Sequence, residues 1–425
     1  MKKIFVSMGL VAAGTAGLQA AYAPDAGNDA SKVWNVSATL RGFYDDNYLT
    51  SHTKHGSFGF EASPSLQANV PLQQTEIGVK YTYGLYYYQQ RENNGQNPVD
   101  QTHQFDLWID HAFSPRWEAR LQDSVVRAQE PDLNIASGAF STAQRTSGDY
   151  VVNNAHLTLN TVWTQLLSTE LSYNNVFVSY DNGGGTASSP SYAGLLDRDE
   201  NYVALNLKWQ LMPETVGFIG YQFGAVNYTA DEAIAPGRPG GGDFHSDDRN
   251  NLQHFGYVGV QHNLLENLTA NARVGFQYAD YYNDPSGTSS WGPYADVNVT
   301  YTYEPGGYAQ VGVLETRNAT DQVFPSGGKI TLDQESTVVY ATVNHPITAK
   351  LIGSLVGRYQ HGIYHGGGLN DESADWYSAG LDLAYNFNRH FSADVGYNFD
   401  YYSAPAVLVQ SYTRNRVYVG VTGSY

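Results

Sequence analysis

The chain has 425 residues, among them 34 Tyr, 43 Gly and no Cys. Its polarity comes from Asn, Gln, Ser, Thr, Tyr and Gly rather than charge: charged residues are only 15% and the mean hydropathy is −0.40. These figures exclude a bundle of apolar membrane helices, a disulfide-stapled domain and a cysteine metal site, and a formal net charge of −18 argues against nucleic-acid binding, which needs clustered Lys and Arg.

In chain order, the first feature is an export signal. Lys2 and Lys3 form a basic start, residues 4–18 are apolar or small, and Ala21-Tyr22-Ala23 supplies an A-x-A site before Pro24. Residues 1–23 read as a cleaved signal peptide, because an apolar core of this length falls short of the ~20 residues of a spanning helix. Residues 24–33 form a short periplasmic segment, and residues 34–425 form the folded body. Processing leaves 21 basic against 41 acidic residues, a net charge of −20.

From Trp34 onward the pattern is alternation, the period of half-buried strands. Trp34, Val36, Ala38 and Leu40 alternate with Asn35, Ser37, Thr39 and Arg41. Ile77 to Leu85, Phe105 to Ile109, Val203 to Trp209, Leu268 to Tyr278, Ala295 to Tyr303, Tyr377 to Tyr385 and Phe391 to Phe399 repeat it. Val417, Val419, Val421, Gly423 and Tyr425 close the chain on an apolar face. Such segments match the ~9–11 residues of a tilted membrane strand and exceed the ~5–6 of a soluble one. A soluble β-sandwich, propeller or solenoid is the alternative, but no repeat of 20–50 residues is present.

Short connections alternate with long ones. Asn69-Val70-Pro71-Leu72, Ser114-Pro115-Arg116, Met212-Pro213-Glu214-Thr215, Glu304-Pro305-Gly306-Gly307, His345-Pro346-Ile347-Thr348 and Asn388-Arg389-His390 are short turns. The long connections are 45–56, 88–101, 128–148, 181–200, 229–250, 279–291, 318–335, 362–374 and 402–413. Nine long loops imply eighteen strands, with sixteen as the alternative; segments 169–180 and 251–263 have the least distinct apolar face. The fold class is all-β: a transmembrane antiparallel up-and-down β-barrel with short periplasmic turns and long external loops. Trp117, Trp163, Trp209, Tyr303, Tyr308, Phe387, Phe391 and Tyr425 fall at one interface. Tyr44, Tyr86 to Tyr88, Tyr180, Tyr228, Tyr281, Tyr282, Tyr401 and Tyr402 fall at the other, as girdles require.

Together these features resemble Gram-negative outer-membrane porins. Residues 117–131 (WEARLQDSVVRAQEP) and 308–317 resemble more narrowly the β-barrel porin families of diverse Gram-negative bacteria. The resemblance implies a water-filled channel for passive diffusion of small hydrophilic solutes or ions, in the cell outer membrane among lipid and lipopolysaccharide. It implies that Val417, Val419, Val421 and Tyr425 form the terminal strand read by the barrel-assembly machinery, with Tyr where Phe is usual. A homotrimer is common in that class. No cofactor, metal, catalytic set or nucleic acid is expected.

The expected lumen face carries both signs: Arg41, Glu61, Lys80, Asp106, Asp110, Glu118, Arg120, Lys208, Arg273, Arg358, Asp382, Asp394 and Asp400. Opposed across a pore, such charges would filter ions; alternatively they pair along a solvated wall. The resemblance implies that the third external loop, 128–148, folds inward, with Glu130 and Asp132 facing Arg120 and Arg273. Asp243, His245, Asp247 and Asp248 read better as a solvated acidic loop than a calcium site, and His361 and His365 lack the helical context of a zinc pair. A closed structural or adhesive barrel and an outer-membrane barrel enzyme are the competing readings. The enzyme lacks a recognisable nucleophile–base–carboxylate motif. Only ten processed residues precede Trp34, which disfavours a plugged transporter.

Overall fold

The computed structural model describes residues 33–129, 138–139, 141–142, 149–405, 408 and 410–425. The expected signal peptide, residues 24–32, Glu130 and Asp132 lie outside the described residues.

The first nine strands are β1 (Trp34–Asp45), β2 (Ser57–Pro71), β3 (Thr75–Tyr88), β4 (Val99–Ser114), β5 (Trp117–Ala128), β6 (Tyr150–Val162), β7 (Leu167–Tyr180), β8 (Arg198–Met212) and β9 (Thr215–Tyr228). A small hairpin of β10 (Ala233–Pro236) and β11 (Asp243–His245) sits in the fifth external loop. Then follow β12 (Asn251–Leu265), β13 (Leu268–Asp280), β14 (Ser289–Glu304), β15 (Gly307–Asn318), β16 (Thr331–Pro346), β17 (Leu351–Gly366), β18 (Ser373–Asn388), β19 (Phe391–Ser403) and β20 (Tyr412–Ser424).

Apart from the small hairpin, every strand pairs antiparallel with its sequence neighbour, β9 pairs with β12, and β20 returns to β1. The result is a closed barrel of eighteen strands, not sixteen. Closure is what hydrocarbon demands, because an open sheet edge would leave backbone groups unpaired. At the seam, Val36 and Tyr425 exchange both backbone hydrogen bonds, at 3.1 and 2.9 Å. Among the described residues no helix is long and apolar enough to cross a membrane.

Alternation sets the two faces. On β20, Val417, Val419 and Val421 are exposed, whereas Tyr418 between them is buried. The barrel strands run 12–16 residues, longer than the alternating segments suggest. Their upper ends continue above the apolar band, where loops cover the inner face. This also explains why residues 169–180 read ambiguously: Val176 and Val178 point inward and pack with Val126, Ala128, Tyr150 and Val152. The first turn differs too. Pro71 ends β2 in register with Glu76, and the turn falls at 72–74, because a strand terminus requires no donor from proline.

Of the expected lower girdle, Trp117, Trp163, Trp209, Tyr308, Phe387, Phe391 and Tyr425 are exposed, whereas Tyr303 is half-buried, its hydroxyl donating to the Asn344 carbonyl at 3.0 Å. The upper girdle is a partial correction. Tyr44, Tyr282 and Tyr401 face out, but Tyr86, Tyr88, Tyr228, Tyr281 and Tyr402 are buried within. Consecutive strand residues cannot share a face, so Tyr86 and Tyr88 turn inward while Tyr87 turns outward, where it stacks on Phe60. Outward tyrosines find a polar partner on the next strand: Tyr81 with His103 at 2.8 Å, Tyr173 with Asn201 at 2.6 Å and Tyr397 with Asn415 at 2.6 Å. A ring in an apolar layer with a satisfied hydroxyl suits an interface.

Candidate functional site

The inner wall holds the charged set in lateral pairs between neighbouring strands. Arg41 on β1 meets Asp394 on β19 at 2.7 Å and Glu61 on β2 at 3.5 Å. Its guanidinium lies 4.9 Å from the Tyr418 ring centre, and the Tyr418 hydroxyl donates to Asp382 at 2.9 Å. Arg120 on β5 pairs with Asp110 on β4 and reaches Glu118 at 3.8 Å. Asp106 accepts from Ser124 at 2.7 Å and from Gln104, and Lys80 stands opposite it in register. Lys208 joins Glu170 at 2.5 Å. Arg273 bonds the Tyr294 hydroxyl at 3.2 Å, and Arg358 bonds Gln360 at 2.6 Å. Asp400 is buried on the inner face of β19. The expected residues therefore form separate groups along the wall rather than one constellation.

Sequence reasoning missed other pairs near the upper rim. Arg198 meets Glu200 at 2.6 Å, and Arg317 meets Asp333 and Glu335, both at 3.0 Å. Extending the strand parity of Val203 to Trp209 back to residue 198 would have placed Arg198 and Glu200 on the inner face. No sequence signal places Arg317, which bonds the carbonyl of Trp291 at 3.2 Å across β14.

The third external loop leaves β5 and returns to β6, yet its described residues touch strands half-way round the barrel. Arg358 on β17 donates to the Gly138 carbonyl. Ala139 packs against Leu314, Val338 and Tyr340 on β15 and β16. The Asp321 backbone N–H bonds the Ser141 carbonyl at 3.1 Å, and Arg198 reaches the Ser141 hydroxyl at 3.5 Å. Where Glu130 and Asp132 point lies outside the described residues.

The other external loops lock together over the rim. Leu195, Leu196, Ile234, Phe244, Ala279, Tyr281, Ile330 and Leu332 make one apolar cluster from four connections. Glu232 accepts from the Gly184 and Gly185 backbones at 2.7 and 3.0 Å and from Ser191 at 2.6 Å. Burial alone would raise its pKa, but these donors outweigh that and hold the carboxyl below its usual range. Buried Arg249 donates to the Tyr228 hydroxyl at 2.7 Å and the Thr320 carbonyl at 3.0 Å. Among the described residues, no group of three or more His, Asp or Glu is placed to hold a metal.

Two loop carboxyls are pushed up to about 6 by burial: Asp321 beside Ser141 and Thr142, and Asp197 at the end of the fourth loop. A raised carboxyl binds its proton more tightly in the packed loops than in released ones. Its stabilisation is therefore full below the unfolded value near 4 and is lost as pH rises to about 6. For Asp321 the swing is on the order of 2–3 kcal/mol. Acidification from pH 7 to 5 is expected to tighten the loops and slow their proteolysis in the intact protein. Asp321→Asn should flatten that response.

An eighteen-stranded closed barrel with an apolar outer belt, a charged inner wall and an inward-reaching loop is an outer-membrane channel protein. Residues 33–425 match the family model described as "Putative beta-barrel porin 2", and the chain belongs to that family. It is thus an outer-membrane porin, in contact with the membrane and with small solutes. No curated protein matches the sequence. Among solved structures, OccAB4 of Acinetobacter baumannii is similar at 13% identity over 93% of this chain and 99% of that one, with a TM-score of 0.45. OccK1 (OpdK) of Pseudomonas aeruginosa gives 10%, 92%, 99% and 0.44. The ferric enterobactin receptor PfeA of the same organism, a Q482A mutant in complex with enterobactin, gives 9%, 92%, 81% and 0.45.

Proposed function

We propose that this porin passes small hydrophilic solutes by diffusion through a lumen that its third external loop narrows, with a mild preference for cations. The observation that carries the reading is the contact of Gly138, Ala139 and Ser141 with β15–β17, opposite the strands from which the loop springs. A segment that crosses the bore divides it. Arg41, Lys80, Asp106, Asp110, Glu118, Arg120, Arg273, Arg358, Asp382 and Asp394 line the path, with Glu130 and Asp132 on the loop itself. The net charge of −18 supports the cation preference, since wall and mouth carboxylates raise the local concentration of counter-ions.

Residues 1–23 serve export, and Val417, Val419, Val421 and Tyr425 are the face offered to the assembly machinery. All four are exposed, which supports that reading, as does the pairing of their strand with β1. A homotrimer and contact with lipopolysaccharide are part of this proposal, on the resemblance to porins in which trimers are common. The test is the reversal potential of the purified protein in a planar bilayer under a KCl gradient. Its sign should report cation selectivity, and an anion-selective potential would overturn the preference.

A further inference from the structure

We infer that the pocket behind the third loop is a binding site for a small hydroxylated carboxylate, a solute of the sugar-acid type. This deepens the diffusion reading above and rests on it. The pocket, about 140 Å³, lies between the inner wall from β7 to β16 and Ala139 and Ser141 of the loop. Three arginines line it, and they differ in kind. Arg198 is neutralised by Glu200, and Arg317 by Asp333 and Glu335. Among the described residues Arg273 has no carboxylate within 4.0 Å. Asp296, its register partner on β14, attracts it through space but does not come within ion-pair distance.

The Arg273 guanidinium is held from the sides. It bonds the Tyr294 hydroxyl at 3.2 Å and lies 5.0 and 6.0 Å from the ring centres of Tyr257 and Phe218. The residue is 9% exposed, and its Nε is a buried donor with no acceptor. A buried guanidinium donor without an acceptor is costly, and a carboxylate removes that cost while making charge-assisted hydrogen bonds. In the same pocket, Gln253 Oε1 is a buried acceptor with no donor. An acceptor in search of a donor selects a hydroxyl group. An unsatisfied guanidinium donor and an unsatisfied acceptor therefore specify a carboxylate that also carries a hydroxyl. Tyr202, Phe255 and Tyr294 supply ring faces for its C–H groups. A channel whose overall field favours cations can hold an anion only at such a localised charge.

The test is block of KCl current through single channels in a planar bilayer by gluconate, with glucose and acetate as comparison solutes. Gluconate should bind more tightly than either. Arg273→Gln should weaken gluconate block about ten-fold or more, as loss of a charge-assisted hydrogen bond predicts, and Arg273→Lys should restore part of it. Gln253→Leu should weaken gluconate but leave acetate unchanged, while Lys54→Ala on the outer loop should change neither. Glucose matching gluconate would overturn the carboxylate, and acetate matching it would overturn the hydroxyls. A protein that conducts KCl without gluconate block would refute the site and leave the porin reading intact. A protein that does not conduct would refute the porin reading instead. Calorimetric titration with gluconate would then decide the site, which no measured binding would overturn.

Discussion

Removing residues 133–144 raises the single-channel conductance about two-fold or more, because conductance follows the narrowest cross-section of an aqueous path. The segment includes Gly138, Ala139, Ser141 and Thr142, whose contacts with Arg358, with Leu314, Val338 and Tyr340, and with Asp321 lie across the bore from β5 and β6. Its loss takes nothing from the hydrogen-bonded ring of strands, so the barrel itself should persist. Arg358→Ala is the milder companion. It deletes the side-chain donor to Gly138 and should give noisier current rather than a uniformly larger step. Unchanged conductance after the deletion would show that the loop does not limit flow.

Arg41→Ala destabilises the barrel by about 3–5 kcal/mol, the cost of leaving buried carboxylates without their cation. Arg41 side-chain exposure is 10%, and its partners Glu61 and Asp394 are 9% and 7% exposed. It also spans the closing seam. In register it stands against Gly420 of β20, yet its ion partner Asp394 belongs to β19, one strand further on. A Cβ at Gly420 would lie 2.4 Å from Arg41 Cγ, so glycine there lets the side chain cross. The readout is the temperature at which the folded protein loses its compact electrophoretic mobility in detergent. Arg41→Ala with Asp394→Asn should recover part of the loss, since the second change removes an orphaned charge. A melting temperature equal to that of the parent would contradict the assignment.

Much of the fold is legible because a barrel strand carries its instructions locally. Alternation such as Val417-Tyr418-Val419 fixes which side faces lipid, and all eighteen strands fall where alternation and loop lengths place them. The charged wall residues are legible for the same reason. Their partners are not, because pairing depends on register: Arg41 reaches Asp394 through a contact between residues 353 apart. The inward turn of Tyr86, Tyr88 and Tyr281 was hidden because the upper strand ends leave the lipid and acquire an apolar interior made by loops. The pocket behind the third loop is least visible of all. Asn174, Gln253 and Arg273 come from three strands, and Ala139 and Ser141 of the third loop join them in lining one chamber.

The central claim is that this barrel is an open, loop-narrowed channel. Planar-bilayer recording of the purified, folded protein tests it most directly. The account predicts discrete, ohmic conductance steps with a reversal potential on the cation side. Heat-modifiable, correctly folded protein that inserts and yet gives no steps would contradict it, and would favour a closed structural barrel.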